Sequence, residues 1–145
     1  MRINGEWLLF EDSVVRPVIR GEILDGDGLW RAAEFLVDSG ADRTVFSASV
    51  LRALRLPPIT TQEGVGGLGG VVRSVGVEIQ IRLSREEGGN KVVLRGQHAA
   101  VTELEALEIS VLGRDIISLF ALIVDRPGDV VCLIGQRHRY VIEPR

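Results

Sequence analysis

A glycine-rich run followed by regular alternation constrains the fold of this chain more than any other stretch. The run is QEGVGGLGGVVRSVGVEIQIRL, with its glycines clustered near one end. Apolar residues then recur at every second position, at Val75, Val77, Ile79, Ile81 and Leu83. A period of two is typical of a strand that buries one face. The stretch therefore predicts a long β-hairpin with a glycine-rich tip.

Most of the remaining chain also predicts strands, with one or two short helices between them. Residues 14–24 indicate a strand that ends in the hairpin turn Asp-Gly-Asp-Gly at residues 25–28. Residues 47–56 have apolar residues near helical spacing before a Pro-Pro pair, and residues 114–120 can form a second helix. Further strands are predicted at VVLRGQHAAV, ISVLG, ALIV, VVCLIG and RYVIE. We therefore expect a mostly β protein with one or two short helices.

Length, charge and cysteine content exclude several classes of protein. The 145 residues suit one domain, which we expect to span residues 1–145. A single cysteine, Cys132, excludes an intrachain disulfide and a cysteine-based zinc cluster. The net charge of −3, with scattered arginines, argues against a nucleic-acid partner. Because no apolar run is long enough to span a bilayer and the N-terminal stretch is acidic, we expect a soluble cytoplasmic protein with no membrane partner.

An aspartate ends the apolar strand in the segment EFLVDSGADRTVF, residues 34–46. A carboxylate at the end of a buried strand is costly unless it is hydrogen-bonded, paired or used in chemistry. Asp-Ser-Gly alone is weak evidence, because these residues are common in turns and aspartate often caps the next element. Three other features favour chemistry here: the glycine run at residues 65–70, the segment ISVLGRD at residues 109–115, and Arg16-Pro17.

Taken in order along the chain, these stretches resemble the retropepsins, the retroviral-type aspartic proteases. The run DSGAD at residues 38–42 is similar to the catalytic Asp-Thr/Ser-Gly-Ala-Asp of that family. Residues 65–81 resemble its flap, and VLGRD resembles its second glycine motif. The resemblance implies a closed β fold in a two-fold homodimer and an aspartic endopeptidase with no cofactor or metal ion. Residues 1–15 and 135–145 look like additions or rearrangements, and the hairpin after Arg16 looks longer than in the viral enzymes.

Peptide hydrolysis gives such an aspartate a use on chemical grounds. A base must activate water and an acid must protonate the departing nitrogen. Two carboxylates about 3 Å apart share one proton and can do both, as in the well-known aspartic-protease dyad. The chain supplies one such aspartate and has no internal repeat, so the second Asp38 must come from another copy across a two-fold axis. Ser39 can hold the two loops together, and Gly40 permits the tight turn.

The glycine hairpin would close over an extended peptide and hold it through main-chain hydrogen bonds. Val65 would face a substrate side chain, and Leu68 would cover the cleft. Ile109 and Val111 either line apolar substrate pockets or belong to the core. The residues expected to bind peptide or protein substrate are Ala41, Asp42, Val65, Gly66, Gly67, Leu68, Ile109 and Val111.

An ion-pair group beside the catalytic loop is a further implication of the resemblance. Asp42 and Arg114 would pair within one chain, and Arg16 would reach Asp42 from the other subunit. Arginine suits such a charge-assisted arrangement because its planar group can donate several hydrogen bonds at once. The alternative is that all three residues are separate solvated charges.

Two other functions fit parts of the sequence. A non-catalytic dimerisation or peptide-binding module could keep the protease fold, but it would not need the aspartate motif and the glycine hairpin together. A structural β domain with coincidental motifs would have no two-fold cleft. We expect His98 and His138 to be structural or solvated, because neither lies at a spacing typical of a metal site or a catalytic triad.

Overall fold

The structure, a computed structural model, describes residues 1–59, 63–67 and 70–135, with the backbone alone for 63–67. Its strands are β1 (Arg2–Asn4), β2 (Glu6–Leu9), β3 (Val15–Leu24), β4 (Trp30–Val37), β5 (Val45–Phe46), β6 (Glu63–Gly67), β7 (Gly70–Leu83), β8 (Val92–Val101), β9 (Ser110–Leu112), β10 (Ala121–Asp125) and β11 (Val130–Ile134). Its helices are α1 (Ala48–Leu54) and α2 (Arg114–Ile117). The prediction of a mostly β protein with short helices is confirmed. Leu68, His138 and the predicted strand RYVIE lie outside the described residues.

The strands are arranged in two sheets. A three-stranded sheet has the order β1-β11-β10. An eight-stranded sheet has the order β2-β3-β4-β9-β5-β8-β7-β6, with an additional pairing between β3 and β7. That pairing matches Glu22 with Arg82 and Ile23 with Ile81. It joins opposite parts of the sheet, so the larger sheet closes on itself as expected for a closed β fold.

The alternation in β7 marks its buried face, as predicted. None of the predicted inward residues is more than 8% exposed: Val75, Val77, Ile79, Ile81 and Leu83. The same core contains Phe35 from β4 and Phe46 from β5, whose rings meet edge to face with centroids 5.8 Å apart. Such packing holds β4 and β5 in place, and the loop between these two strands carries the aspartate motif.

The first hairpin turn is also where the sequence predicts it. Strands β3 and β4 pair antiparallel up to Leu24 and Trp30, and Gly28 adopts a φ of +82° in the turn between them. The buried carboxylate of Asp25 accepts hydrogen bonds from the backbone of Asp27 and from Arg31 Nε at 2.8 Å. Arg31 lowers the pKa of Asp25, so the carboxylate stays ionised in the turn.

Both helices are shorter than predicted. Ser47 caps α1 by accepting a hydrogen bond from Val50, but Arg55 adopts a left-handed φ of 52° and ends the helix before the two prolines. Helix α2 ends at Ile117, because the following turns bond to the carbonyl three residues back rather than four. The residues that were predicted to be helical but are not lie outside the aspartate motif and the second glycine motif, so the positions of both motifs are unaffected.

Strands β1 and β2 fall in the N-terminal stretch that was interpreted only as an addition or rearrangement. They pair antiparallel with β11 and β3, respectively. The indole of Trp7 in β2 donates to the carbonyl of Val130 at 3.3 Å. Strand β1 and the Trp7 side chain contact residues at the other end of the chain, so no local pattern in the sequence marks these contacts. Within the described ranges, the structure has no helix with the length and apolar character needed to cross a membrane.

Candidate active site

Asp38 directly follows β4, at an edge where two strands end together. Strand β4 runs parallel to β9, with Val37 opposite Leu112. The backbone N–H of Asp38 donates to the carbonyl of Leu112 at 3.1 Å, which ties the two strand ends. The carboxylate Oδ1 accepts the backbone N–H of Gly40 at 2.9 Å. This bond within the turn satisfies part of the hydrogen-bonding capacity of the carboxylate, and Asp38 is half-buried.

The outer part of this loop is open. Ser39 and Gly40 are exposed, and no described residue donates a hydrogen bond to Oδ2 of Asp38. A carboxylate oxygen held in position but without a donor can take a proton or contact water. The loop thus presents one aspartate and a neighbouring hydroxyl to the outside of the chain.

The second glycine motif packs directly behind the aspartate loop. The backbone N–H groups of Arg114 and Asp115 donate to the carbonyls of Ala41 at 2.8 Å and Asp42 at 3.2 Å. A Cβ on Gly113 would lie 2.3 Å from the carbonyl carbon of Arg43, a distance that real Cβ atoms do not show. Glycine is therefore required here by the close approach of two backbones.

A partly buried polar network joins the two motifs. Oδ1 of Asp115 accepts hydrogen bonds from the Thr44 backbone at 2.9 Å, the Thr44 hydroxyl at 2.7 Å and the Ile116 backbone at 2.9 Å. The Thr44 oxygen in turn accepts the N–H of Gly113 at 3.0 Å. Thr44 is fully buried. Satisfied networks of this kind rigidify a site, since each member loses a partner if one is removed.

His98 extends this network from β8. Its Nδ1 lies 3.4 Å from Oδ2 of Asp115, and its ring packs edge-on against Phe46 with centroids 5.8 Å apart. Burial lowers the pKa of His98, and Asp115 opposes that shift. The neutral imidazole is therefore favoured in the fold.

Sequence reasoning missed this network as a functional feature. Thr44 and Asp115 both lie in segments that the sequence singles out, but the sequence does not indicate that their side chains form hydrogen bonds with each other. His98 was expected to be structural or solvated, and nothing near it in the sequence indicates its contact with Asp115. Only the pairing of β5 with both β8 and β9 brings these segments together.

The predicted ion-pair residues separate into two groups within one chain. Arg114 donates to the carboxylate of Asp42, and both side chains are largely exposed. Arg16 instead forms two hydrogen bonds with Asp12, at 2.9 and 2.6 Å, and stacks over Phe10. The Arg16 guanidinium lowers the pKa of Asp12 to about 2. The pair between Arg16 and Asp42 of a second chain stays a prediction.

The predicted glycine hairpin is present in the backbone. Strands β6 and β7 pair antiparallel, with Val65 opposite Val72, Gly66 opposite Val71 and Gly67 opposite Gly70. Gly70 adopts a φ of +103°, and a Cβ there would meet nothing within 4 Å. This glycine is therefore required by backbone conformation rather than by close packing.

The two apolar residues proposed to line substrate pockets lie in different surroundings. Val111 is 9% exposed and pairs with Leu36 and Val45 inside the sheet. Ile109 is half-buried and lines a cavity of 710 Å³ together with Leu8 and Val50. Asp38 is not among the residues lining that cavity. In the single chain these side chains therefore do not share one cleft with the aspartate.

A family model described as aspartyl protease matches residues 20–116. The match covers more than half of the 145 residues and includes both the aspartate loop and the second glycine motif. The chain belongs to the aspartyl protease family. No curated protein matches it at the level of sequence.

Solved structures show the same fold as this aspartyl protease chain. The EIAV protease complexed with the inhibitor HBY-793 aligns with a TM-score of 0.51 and 21% identity, covering 77% of this chain and 92% of that chain. A retropepsin-like aspartic protease from Rickettsia conorii aligns with a TM-score of 0.51 and 15% identity, covering 92% and 88%. The predicted resemblance to retropepsin-like aspartic peptidases is confirmed by the family match and by the fold.

Proposed function

We propose that two copies of this chain form a homodimer that hydrolyses peptide bonds in extended substrates through Asp38 of each copy. One observation carries the proposal: each chain presents a single strand-end aspartate on a loop whose position is fixed by the second glycine motif. The other carboxylates of this region are engaged, Asp42 with Arg114 and Asp115 with Thr44. A second copy is therefore the natural source of the second carboxylate.

Such a dyad can carry out both proton transfers of the reaction. One ionised Asp38 takes a proton from water while the water oxygen bonds to the substrate carbonyl carbon. The other, protonated Asp38 donates its proton to the amide nitrogen as the carbon–nitrogen bond breaks. The two carboxylates exchange roles without any change in net proton count. Their proximity keeps one of them protonated, because two like charges so close cannot both ionise.

The remaining parts of the motif support this use. The Ser39 hydroxyl, exposed beside Asp38, can bond across the two-fold axis and hold the two loops in register. The hairpin of β6 and β7 would close over the peptide, and its backbone can bind an extended segment as an added strand. Arg16 would face Asp42 of the partner while Arg114 pairs with Asp42 in its own chain. The absence of Asp38 from the cavity near Ile109 is expected if the cleft forms only between two chains.

Mixed dimers test the proposal. Wild-type chain would be combined with a ninefold excess of the Asp38→Asn chain, and peptide cleavage measured per mole of wild-type chain. Cleavage should fall roughly tenfold, because random pairing leaves about one wild-type chain in ten with a wild-type partner. A matched excess of the Arg52→Gln chain, which keeps Asp38 and changes an exposed helix residue, should instead raise cleavage per mole of wild-type chain about tenfold, because every dimer is then active.

Sedimentation over the same concentration range shows whether dimers are present. Activity per chain should rise with concentration and level off as the dimer forms. Full activity of a monomer, or unchanged cleavage in the presence of the Asp38→Asn chain, would contradict a dyad shared between two chains.

A further inference from the structure

A second cavity, of 370 Å³, lies between the aspartate loop and the base of the glycine hairpin. Arg43 and Thr44, which follow the DSGAD motif, form one side of it. Ser74 near the start of β7 lies on another side, and Gln97 and His98 of β8 complete the polar lining with Asp115. The cavity thus touches both parts of the chain that the proposed function assigns to the substrate.

The acidic side chains in and beside this cavity have partners, whereas its arginine has none among the described side chains. Asp115 already accepts three hydrogen bonds on Oδ1 and faces His98 with Oδ2. Asp42, the neighbour of Arg43, is engaged by Arg114. Across residues 1–59 and 70–135, no side-chain acceptor or carboxylate pairs with the exposed Arg43 guanidinium. Arg43 is therefore an uncompensated cation at the opening of a polar cavity.

Asp38 is not among the described residues that line this cavity, which lies further along both segments. Arg43 is five residues beyond Asp38, and Ser74 is four residues beyond Gly70 at the tip of the hairpin. Four residues of strand span roughly 13 Å, and side chains on one face of an extended peptide recur about every 7 Å. A peptide held beneath the hairpin would therefore reach this cavity with a side chain removed from the bond that is cut.

We propose that this cavity binds the carboxylate of an aspartate or glutamate side chain in the substrate, through Arg43. The inference rests on the proposed function and adds a substrate preference to it. The planar guanidinium can donate two parallel hydrogen bonds to a carboxylate. The amide of Gln97 on the same lining can donate a further hydrogen bond. It is available to do so, because it has no hydrogen-bond partner among the described side chains.

A lysine in the same substrate position would place its ammonium group against Arg43. Asp115 also lines the cavity, but its Oδ1 already accepts hydrogen bonds from Thr44 and Ile116 and its Oδ2 faces His98 at 3.4 Å, so neither oxygen is free to bind the ammonium group. Glutamate should therefore be preferred over lysine by roughly three- to tenfold in kcat/KM, the range expected for a partly exposed charge pair. Raising the salt concentration should reduce the preference.

A peptide-pool experiment tests this preference. Wild-type dimer would cleave a degenerate decapeptide pool, and mass spectrometry of the products would give a cleaved parent sequence. Parent peptides carrying glutamate, glutamine or lysine at each position outside the two scissile residues would then be compared. The same set would be cleaved by Arg43→Glu and by Arg52→Glu, which makes the same charge change on the exposed side of α1.

The deciding quantity is the ratio of kcat/KM for glutamate and lysine peptides within one enzyme, which is unaffected by a general loss of activity. At one distal position the wild type and Arg52→Glu should prefer glutamate, and Arg43→Glu should prefer lysine. A wild type that cleaves the pool without a charge preference at any distal position would overturn the inference. So would an Arg43→Glu dimer that keeps the wild-type ratio. Failure of the wild-type dimer to cleave any peptide would instead count against the proposed function.

Discussion

The aspartate loop and the glycine hairpin are both built around glycines, but they are held in opposite ways. Side chains from three separate segments fix the loop: Asp115 of α2 contacts both Thr44 and His98 behind it. The described part of the hairpin is held mainly by the ladder between β6 and β7, with Val72 packed against Val45, Ala48 and Val101. Gly113 is needed because another backbone presses on it, whereas Gly70 has open space around its Cα and is needed for its positive φ.

This difference matches two requirements of catalysis. An acid and a base must be placed within a fraction of an ångström, so the loop needs support from all sides. A cover for the substrate must open and close, so it needs few fixed side-chain partners. The two regions should therefore respond differently to mutation, with the loop losing stability and the hairpin losing substrate capture.

The largest effect should come from Asp38→Asn, which removes the ionisable group and keeps the shape of the loop. We expect kcat to fall by at least about 10³-fold, since both proton transfers depend on the dyad. Circular dichroism and the thermal midpoint should stay close to those of the wild type. Substantial cleavage by the purified variant would remove Asp38 from the reaction.

Asp115→Ala should next show how strongly the loop depends on its support. Loss of the carboxylate leaves the N–H and the hydroxyl of Thr44 without their acceptor, whereas the Ile116 N–H keeps the Gly113 carbonyl at 3.2 Å. We expect the free energy of unfolding to fall by about 2–3 kcal/mol, measured by urea denaturation, with a parallel loss of activity. Asp115→Asn keeps one side-chain oxygen as acceptor and should retain most of the stability. Equal losses in both variants would show that hydrogen bonding to this oxygen is not what supports the loop.

Gly70→Val tests the hairpin with a matched control elsewhere. Gly70 and Gly88 both have positive φ, +103° and +76°, and a Cβ at either position would meet no atom within 4 Å. Each valine should therefore cost a similar conformational strain, roughly 1–2 kcal/mol. Only the Gly70 variant should lose kcat/KM, by about tenfold, because only it lies at the tip of the proposed cover. The same kinetic loss in Gly88→Val would mean that strain, not hairpin movement, lowers the activity.

The smallest effect concerns pH and His98. Burial lowers the pKa of His98 below its ordinary value of 6.5, so the unfolded chain binds more protons than the fold does below that pH. The contribution of His98 to stability is therefore present above about pH 6.5 and is lost as the pH falls. Urea denaturation at a series of pH values should show this decline in the wild type and a flatter curve in His98→Gln. Parallel curves would show that this histidine does not titrate with folding.

Local pattern predicted the features that a few neighbouring residues determine. The alternation of β7, the turn after β3 and the aspartate loop after β4 each depend on adjacent residues, and each was found in place. Strand β1 pairs with β11 at the other end of the chain, and His98 contacts Asp115 from a separate strand. No local signal encodes such partners, so sequence reasoning found one side of each contact at best.

Arg16 is a case in which a partner close in the sequence was overlooked. Its role was inferred from a family resemblance, whereas within one chain it pairs with Asp12 only four residues away. A local partner of this kind was visible in the sequence. An exposed pair contributes about 0–1 kcal/mol, so exchange of Asp12 for a partner across the dimer would cost little.

Thr44 and Asp115 are separated by 71 residues. During synthesis the growing chain therefore carries its aspartate long before the residues that support it exist. Asp115 follows Asp38 by 77 residues (115 minus 38), which a ribosome adds in roughly 4–15 s at about 5–20 residues per second. Closing so long a loop costs conformational entropy before any contact compensates for it, so this step of folding is slow. A nascent chain consequently holds an unsupported aspartate and no β9. Under the proposed function, the loop would become competent for hydrolysis only after synthesis has passed Asp115, and polypeptides emerging beside it would be spared until then.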